Sequence, residues 1–510
     1  MTGQTQEERS SAAGKGLRTA TLALHGVKWG GLAVAVQKTF QLASIAVLAR
    51  LLTPEDFGVV TIATLTLGAV SRIKQLGLYS ALMQRKGDIR AAANVSFYIS
   101  VALAVLAYAG LWLAAPYVAA FFKRASAERV VTVMSLRVFM DVAAGIQSTL
   151  AVRDLKFRKQ AVIAMIETVV TTGSSVVFAC MGWGVWALVY GSLAGPVTSS
   201  IVWWAGSTWR PGLVVDMKAA REVMGFGAVL SLATTVDSLL DTVSRALVGR
   251  FLGIVPLGFF DFTNRINQLP FRNVMEIGHR VAIPAFCREQ ENTERLRAWY
   301  LQMTGLAALL MAPVCTTLLL APDVVVPLVF GPQWLPTLPW VRALAGTTLL
   351  MPFLYGWPVY IARARLGLVA WMMTARLLLG SALVFLAARV SLMAVCLALL
   401  ALTALFAVVN VRLVSRLLGL RLSAVARTLR TPLLGTLVLA CAFVVSRFAA
   451  GRMGLLQSPG VATFGVVLGP PLALYGLIVH LLEPRISRRL RETIWQTPAG
   501  VADAAGESGG

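Results

Sequence analysis

Charged residues are scarce in this chain: they make up 14% of its 510 residues, whereas a soluble globular protein carries about 25%. A soluble chain of this length would divide into two or three domains, each needing a charged exterior. With 57% hydrophobic residues and a mean hydropathy of +0.74, the composition cannot supply those exteriors. Apolar runs of about 20 residues, long enough to cross a bilayer as helices, recur along the whole chain. The sequence therefore predicts an all-α protein that crosses a membrane many times.

Histidine and cysteine are scarce as well. Three histidines are too few to favour a His-based metal site, and the cysteines are widely spaced, without metal-ligand spacing or a disulfide framework. A P-loop is also missing, so no ATPase is built in. We expect neither a metal nor another cofactor. The cysteines are predicted to be small core residues: Cys180, Cys287, Cys315, Cys396 and Cys441.

Acidic residues are half as numerous as basic ones, 23 against 46, which gives a net charge of +23. The basic residues fall mostly in short connectors rather than on a domain able to grip a duplex, so no nucleic-acid partner is expected. Alternate connectors carry 27 basic residues on one side and seven on the other. Because basic connectors stay in the cytoplasm, both termini are predicted to be cytoplasmic, and the number of spans must be even.

Fourteen spans give the best count. The predicted spans are 26–50, 57–82, 91–121, 128–151, 161–182, 184–206, 222–248, 257–286, 298–321, 336–361, 367–387, 391–415, 431–449 and 460–482. The predicted organisation is a disordered cytoplasmic tail (1–24), an N-lobe of helices 1–6 (25–207), a cytoplasmic linker (208–221), a C-lobe of helices 7–12 (222–417), helices 13–14 (418–483) and a cytoplasmic tail (484–510).

A weak internal repeat supports two similar lobes. Residues 49–58 align without gaps on residues 249–258, and Arg50/Arg250, Leu52/Leu252 and Gly58/Gly258 match. Three matches in ten residues could arise by chance. Both segments, however, lie at the turn from an odd helix into the next, and six helices separate them. The copies would therefore share orientation, as in the parallel repeats of transporters.

Ionisable residues inside the predicted spans are the best pointers to function, because each costs about 2.5–3.5 kcal/mol at mid-membrane. Ten are basic and six are acidic, so internal pairing leaves an excess of four positive charges. The basic ones are Lys38, Arg72, Lys74, Arg137, Arg245, Arg265, Arg272, Arg280, Arg342 and Arg376, and the acidic ones are Asp141, Glu167, Asp237, Asp241, Asp261 and Glu276.

The span 257–286 carries the clearest pattern. Six polar residues, spaced 4, 3, 4, 4 and 4 apart, share one helical face: Asp261, Arg265, Gln268, Arg272, Glu276 and Arg280. Pro270 is predicted to kink this span.

Two interpretations of the embedded charges remain open. One is a set of salt bridges between residues four apart (Asp261–Arg265, Arg272–Glu276, Asp241–Arg245 and Arg137–Asp141) that holds helices together. The other, which we favour, is a water-filled, net-positive cavity, because Lys38, Arg72, Lys74, Arg342 and Arg376 have no evident partner in sequence. Such a cavity would bind an anion, and guanidinium groups suit phosphate.

Several turns resemble those of a known family. The stretch Leu48-Ala49-Arg50-Leu51-Leu52-Thr53-Pro54-Glu55-Asp56-Phe57-Gly58 resembles the turn between the first two helices of polysaccharide flippases. Further matches are Leu76-Gly77-Leu78 with residues 81–85, Leu155-Lys156-Phe157-Arg158, residues 182–189, Asn264-Arg265, Leu269-Pro270 and residues 280–286. The family is the Wzx/PST-type exporters of lipopolysaccharide and exopolysaccharide, in the MOP superfamily.

The resemblance implies two six-helix lobes in a V shape around a cationic lumen, with helices 13 and 14 forming a groove for a lipid tail. It implies transport of undecaprenyl-diphosphate-linked oligosaccharide repeat units across the bacterial inner membrane. Its implied partners are that glycan, membrane lipids and the polysaccharide polymerase or export machinery. Substrate binding would fall to Lys38, Arg72, Lys74, Arg265, Arg272, Arg280, Arg342 and Arg376, and ion coupling to Glu167, Asp237 or Asp241.

Other functions stay open at this point. A peptidoglycan-precursor flippase of the same superfamily would share the fold and an anionic cargo. A multidrug exporter would favour an acidic or aromatic cavity, whereas this lumen is predicted to be basic. A membrane-embedded polymerase or ligase would need long extramembrane loops, but the predicted connectors on the non-cytoplasmic side have about 3 to 14 residues. We therefore expect a transporter and not an enzyme.

Overall fold

The computed structural model describes residues 29, 33–74, 89–212, 239–288, 292–453 and 461–482, which contain helices and connecting turns and no β-strand. In the first half the helices are α1 (Ala33–Leu51), α2 (Pro54–Lys74), α3 (Ile89–Phe121), α4 (Ser126–Ser135), α5 (Arg137–Arg153), α6 (Phe157–Cys180), α7 (Val185–Gly206), α8 (239–251) and α9 (Ile254–Arg288). In the second half they are α10 (Thr293–Leu320), α11 (Pro322–Phe330), α12 (Leu338–Leu350), α13 (Trp357–Ala362), α14 (Leu366–Ala388), α15 (Leu392–Leu418), α16 (Leu422–Thr428), α17 (Arg430–Arg452) and α18 (Val461–Leu482).

Nine helical stretches of the described residues are long and apolar enough to cross a membrane. They are α1, α3, α4 with α5, α6, α7, α10, α14 from Gly367, α15, and α16 with α17. The prediction of an all-helical protein with many membrane spans is confirmed. The predicted tails, and residues 213–221 of the predicted linker, lie outside the described residues.

The chain divides into two units: unit 1 is Met1–Phe262 together with Met372–Val395, and unit 2 is Thr263–Trp371 together with Cys396–Gly510. The predicted lobe boundaries at 25–207 and 222–417 stay a prediction.

In unit 1, α6 and α7 lie side by side, joined by the turn Gly182-Trp183-Gly184. Gly182 and Gly184 have φ of +78° and +54°, a region that favours glycine. Small residues let the two helix backbones approach closely: a Cβ on Gly195 would lie 2.6 Å from the carbonyl oxygen of Glu167. Such small-residue spacing is how membrane helices pack tightly.

The helix α7 is also bonded to α5. The Ser200 hydroxyl donates to the carbonyl oxygen of Met140 at 3.1 Å. The Trp204 indole N–H donates to the carbonyl oxygen of Ala143 at 2.9 Å. These bonds join α7 to α5, and its close contact with α6 completes one bundle.

The turn between α1 and α2 explains the motif that carried the family resemblance. The Thr53 backbone N–H and hydroxyl donate to Asp56 Oδ2 at 2.9 and 2.8 Å, and the Asp56 N–H donates back to the Thr53 hydroxyl at 3.3 Å. With Pro54 in the first helical position, this reciprocal cap starts α2 sharply.

The aligned copy of this turn starts α9 and contacts the first copy reciprocally. A Cβ on Gly58 would lie 2.7 Å from the Ile254 side chain and would collide with the Ile254 carbonyl oxygen. A Cβ on Gly258 would lie 2.9 Å from the carbonyl carbon of Pro54. Residues 54 and 254, like 58 and 258, are 200 positions apart, so each copy makes the same contact with the other. This reciprocity supports the internal repeat.

In unit 2, α10, α17 and α18 enclose a core of buried side chains that includes Leu309, Leu439, Phe443 and Tyr475. The Tyr475 hydroxyl donates to the carbonyl oxygen of Leu309 at 2.6 Å. A buried polar ring thus finds its partner in a backbone group, as apolar surroundings require.

The predicted span 336–361 is not one helix. It contains α12, a 3₁₀ turn at Met351–Leu354 and the short α13. Pro352 and Pro358 lack backbone N–H groups, which prevents a continuous ladder. The fully buried Asn410 of α15 compensates by donating to the Phe353 carbonyl oxygen at 2.7 Å and accepting from the Tyr360 hydroxyl at 2.8 Å. Non-helical backbone at membrane depth needs such partners.

Candidate cationic face and charged pairs

The helix α9 separates a buried side from a charged side. It runs without interruption through Pro270. On the buried side, Ile266 packs against Cys315 and Val341 of unit 2, and the Asn267 carbonyl oxygen accepts from the Thr348 hydroxyl at 3.1 Å. The side chains of Arg265 and Arg272 are exposed and lie two turns apart on one face.

The predicted ladder on this helix is confirmed only in part. Gln268 is half-buried between the two exposed arginines. The side chains of Glu276 and Arg280 lie outside the described residues. Asp261 lies one turn before Arg265 on the same face, but it is buried, with 3% of its surface exposed.

Asp261 instead forms an interhelical ion pair in unit 1. Arg245 Nε on α8 donates to Asp261 Oδ1 at 2.9 Å, with the two side chains 19% and 4% exposed. The pair expected between Asp241 and Arg245 on one helix is thus replaced by a pair between two helices. The expected Arg137–Asp141 pair is present at 3.7 Å, with both side chains more than 40% exposed.

The remaining predicted site residues lie on several helices. Within unit 1, Lys38 is half-buried on α1, Glu167 on α6, Asp241 on α8 and Arg376 on α14. Lys38 and Arg376 each interact with a neighbouring group. These two residues therefore do not support the premise that the embedded basic residues lack partners. The side chains of Arg72 and Lys74 at the end of α2, and the whole of Asp237, lie outside the described residues.

Arg342 of unit 2 contradicts that premise directly. Its Nη2 donates to Asp323 Oδ1 at 3.2 Å. The same oxygen accepts from Arg447 Nη1 at 2.8 Å, and that guanidinium also donates to the Leu320 carbonyl oxygen at 2.8 Å. The cluster joins α11, α12 and α17. Asp323 escaped the sequence analysis because it follows the predicted span 298–321 and so was not among the embedded charges.

Asp323 is expected to stabilise unit 2 above acidic pH. Burial would raise the pKa of its carboxyl, but the hydrogen bond from Arg447 and the charges of Arg447 and Arg342 outweigh burial and hold the pKa below its ordinary value. A carboxyl with a lowered pKa contributes stability that is complete above the ordinary value and is lost as pH falls through the lowered one.

Replacing Asp323 by asparagine should therefore lower the free energy of unfolding at neutral pH by about 1–2 kcal/mol. The thermal unfolding of the purified protein would show this, and the gap to wild type should narrow below about pH 4. Glu128→Gln, at an exposed position, is the matched control and should leave the unfolding midpoint unchanged. A gap that stays constant down to pH 3 would contradict the assignment.

The few basic residues on the predicted non-cytoplasmic side mostly have structural partners. Arg250 Nη1 donates to the Phe121 carbonyl oxygen at 2.9 Å, and Arg124 pairs with Glu55. Arg389 lies 4.3 Å from the centre of the Phe385 ring, and Arg452 lies 4.7 Å from that of Phe448. These contacts explain why arginines persist on the side that positive-inside topology depletes.

The described residues contain no group of three or more His, Cys, Asp or Glu side chains arranged to hold a metal ion.

Comparison with known proteins identifies the family. The sequence profile of a family described as "Polysaccharide biosynthesis protein" matches residues 47–339, more than half of the chain. The chain is 24% identical over 325 residues to the teichuronic acid biosynthesis protein TuaB of Bacillus subtilis, covering 63% of this chain and 67% of that one. It is 24% identical over 336 residues to the lipopolysaccharide biosynthesis protein WzxC of Escherichia coli, covering 64% of this chain and 67% of that one. It is 24% identical over 308 residues to the succinoglycan biosynthesis transport protein ExoT of Rhizobium meliloti, covering 60% and 62%.

Two solved structures have a similar fold. The lipid II flippase MurJ in an inward closed conformation has a TM-score of 0.65 at 10% identity, covering 89% of this chain and 99% of that one. An inward-facing multidrug resistance MATE family transporter of the MOP superfamily has a TM-score of 0.60 at 18% identity, covering 77% and 96%. The resemblance drawn from the turn motifs is thereby confirmed, and the chain belongs to the polysaccharide biosynthesis protein family.

Proposed function

We propose that this protein flips undecaprenyl-diphosphate-linked oligosaccharide repeat units across the bacterial inner membrane, by alternating access through a cationic lumen. It acts as a transporter and not as an enzyme. Its family membership and its likeness to relatives named for the biosynthesis of three different polymers support this. One of those relatives is named a transport protein.

The exposed arginine face of α9 carries the proposal. Arg265 and Arg272 are exposed on a helix of 35 residues, long enough to span the membrane. An arginine facing lipid at mid-membrane would cost about 2.5–3.5 kcal/mol, so this face needs water. Guanidinium groups bind phosphate through paired charge-assisted hydrogen bonds. A lipid-linked diphosphate supplies the matching negative charge.

The finer assignments belong to the same proposal. The protein would have fourteen membrane helices, both termini in the cytoplasm, and two six-helix lobes followed by two further helices. Arg342 would contribute less than Arg265, because Asp323 already accepts from it. The other proposed substrate-binding residues are Lys38, Arg72, Lys74, Arg280 and Arg376, and ion coupling would fall to Glu167, Asp237 or Asp241.

Arg272→Ala should reduce translocation at least tenfold, because it removes charge-assisted hydrogen bonds to the phosphates. We would measure transfer of a lipid-linked oligosaccharide across proteoliposomes that contain the purified full chain. Export of the native polymer would be followed in a strain that lacks the wild-type gene. Arg272→Lys keeps the charge but loses the planar guanidinium group, so its transport activity should lie between those of wild type and Arg272→Ala.

Arg421→Ala is the matched control, since Arg421 is an exposed arginine at a connector outside the proposed site. Its transport should match wild type at equal abundance in the membrane. Wild-type transport by an Arg265→Ala/Arg272→Ala double variant would contradict the cationic lumen. Rescue of a strain depleted of its peptidoglycan-precursor flippase would favour that alternative cargo.

A further inference from the structure

Unit 1 contains a polar cavity that the proposed transport site does not use. It lies where α3 begins and where α5 and α7 end, and it has a volume of about 210 Å³. That is room for several water molecules and for a small headgroup. Its polar lining includes Arg90, Gln147, Asp154, Lys156, Lys159 and Trp209.

The segment 207–212 lines one side of the cavity and is held in place by hydrogen bonds. Arg210 holds this segment by donating to the carbonyl oxygens of Trp204 at 2.9 Å and Ser207 at 2.6 Å. The Gly212 N–H donates to Asn94 Oδ1 on α3 at 3.1 Å. Trp209 packs edge-on against Phe97, with ring centres 5.8 Å apart. The Trp209 indole is therefore held in place at the cavity.

Two side chains in the lining carry polar atoms that nothing satisfies in the described part of the chain. Gln147 is 2% exposed, and neither its amide nitrogen nor its amide oxygen has a hydrogen-bond partner there. The same is true of the Trp209 indole N–H. Buried polar groups are nearly always paired, and an unpaired one destabilises a fold. Both residues therefore need a partner that the described part of the chain does not supply.

The charge of the lining selects an anion. The lining has three cationic side chains, Arg90, Lys156 and Lys159, and one carboxylate, that of Asp154. The Asp154 carboxylate pairs with the Lys156 ammonium at 2.7 Å. Lys159 donates to the Gly206 carbonyl oxygen and lies 5.2 Å from the centre of the Trp203 ring. The indole N–H and the glutamine amide N–H₂ can only donate, which fits phosphate oxygens. The Gln147 amide oxygen can only accept, and a hydroxyl on the ligand would give it a donor.

We propose that this cavity, the Gln147 cavity, binds a hydroxyl-bearing phosphate of the glycerol phosphate type. The phosphate oxygens accept from Trp209, Gln147 and the cationic side chains, and a hydroxyl of the ligand donates to the Gln147 amide oxygen. The same chemistry occurs in a phosphatidylglycerol headgroup and in soluble glycerol 3-phosphate. The cavity shares no residue with the proposed substrate-binding set.

The test uses the purified full chain with three probes: phosphatidylglycerol in phosphatidylcholine nanodiscs, soluble glycerol 3-phosphate and inorganic phosphate. Binding and the thermal unfolding midpoint are measured for each. We expect phosphatidylglycerol or glycerol 3-phosphate to bind and raise the midpoint, and inorganic phosphate to bind at least tenfold more weakly. Binding of phosphatidylglycerol alone identifies a lipid ligand, and binding of glycerol 3-phosphate identifies a soluble one.

Two variants separate a ligand site from a structural role. Gln147→Leu and Trp209→Phe should each weaken binding about tenfold or more. Without ligand, Gln147→Leu should unfold at the wild-type temperature or above it, because it removes an unsatisfied buried amide. Thr149→Val, on the same helix but outside the lining, is the matched control and should bind like wild type.

Three results would overturn the proposal. One is that neither phosphatidylglycerol nor glycerol 3-phosphate binds. Another is that both Gln147→Leu and Trp209→Phe bind like wild type. The last is that inorganic phosphate binds as tightly as glycerol 3-phosphate, which would remove the role of the hydroxyl.

Discussion

Replacement of Arg245 by methionine is expected to lower the free energy of unfolding by about 3–5 kcal/mol. The reason is the position of its partner: Asp261 is 3% exposed, and Arg245 Nε donates to it at 2.9 Å. Removing one member of a buried ion pair leaves the other with the cost of desolvation and without that compensation. For a chain of this size the loss should be visible as a fall of roughly 3–5 °C in the thermal unfolding midpoint.

The double variant Arg245→Met/Asp261→Leu should recover most of this loss. Apolar residues of similar volume often replace a buried pair at little cost or with a gain. Arg137→Met is the matched control, because Arg137 pairs with Asp141 at 3.7 Å where both side chains are more than 40% exposed. Its effect should stay below about 1 kcal/mol. Two results would contradict a stabilising buried ion pair. One is an Arg245→Met variant that is as stable as Arg137→Met, and the other is a double variant that is as unstable as Arg245→Met.

The same pair shows what helical periodicity can and cannot predict. Spacing along α9 predicted that Arg265 and Arg272 share one face, and both are exposed there, because one helix alone sets those directions. The periodicity could not show that Asp261, one turn away on the same face, is buried. It pairs with Arg245 on α8, and which residue of a neighbouring helix lies opposite depends on how the two helices cross. A single sequence holds little information on that crossing.

Hydropathy predicted the apolar spans well and could not settle the polar ones. Four predicted spans do not appear among the nine apolar stretches of the described residues: 57–82, 257–286, 336–361 and 460–482. The first three are rich in charge, proline or other polar residues, and most of 222–248 lies outside the described residues. In 336–361, Pro352 and Pro358 interrupt the helix, and the bonds that compensate come from Asn410, about fifty residues away in sequence. Long-range partners of this kind decide whether a broken helix is tolerated.

The ion pair of Arg342 was missed for a related reason. Only charges inside the predicted spans count as embedded, and Asp323 lies just outside one. A carboxylate in the first turn of a short helix after a span was a signal available in the sequence, because Asp323 follows Pro322 directly. Its two arginine partners are on α12 and α17, and only the folded unit shows that they meet.

Gly258→Ala and Gly58→Ala are each expected to lower the free energy of unfolding by about 3 kcal/mol, near the upper end of the cost of overpacking. A methyl group on Gly258 would lie 2.9 Å from the Pro54 carbonyl carbon and 3.2 Å from the Gly58 nitrogen, and one on Gly58 would collide with the Ile254 carbonyl oxygen. These neighbours are backbone atoms, so a rotamer change cannot relieve the clash, and the N-termini of α2 and α9 must separate.

Gly68→Ala is the matched control on α2, because no atom lies within 4 Å of the position its Cβ would take. The same replacement should there raise the free energy of unfolding by up to about 1 kcal/mol, since alanine favours a helix more than glycine does. The sign of the effect therefore separates close packing from helix propensity. Thermal unfolding of the three purified variants measures it. Residue 58 contacts residue 254, and residue 258 contacts residue 54. Because the two contacts are equivalent, Gly58→Ala and Gly258→Ala should lower the free energy of unfolding by similar amounts. Stabilisation by either substitution would contradict the close contact of the two helix N-termini.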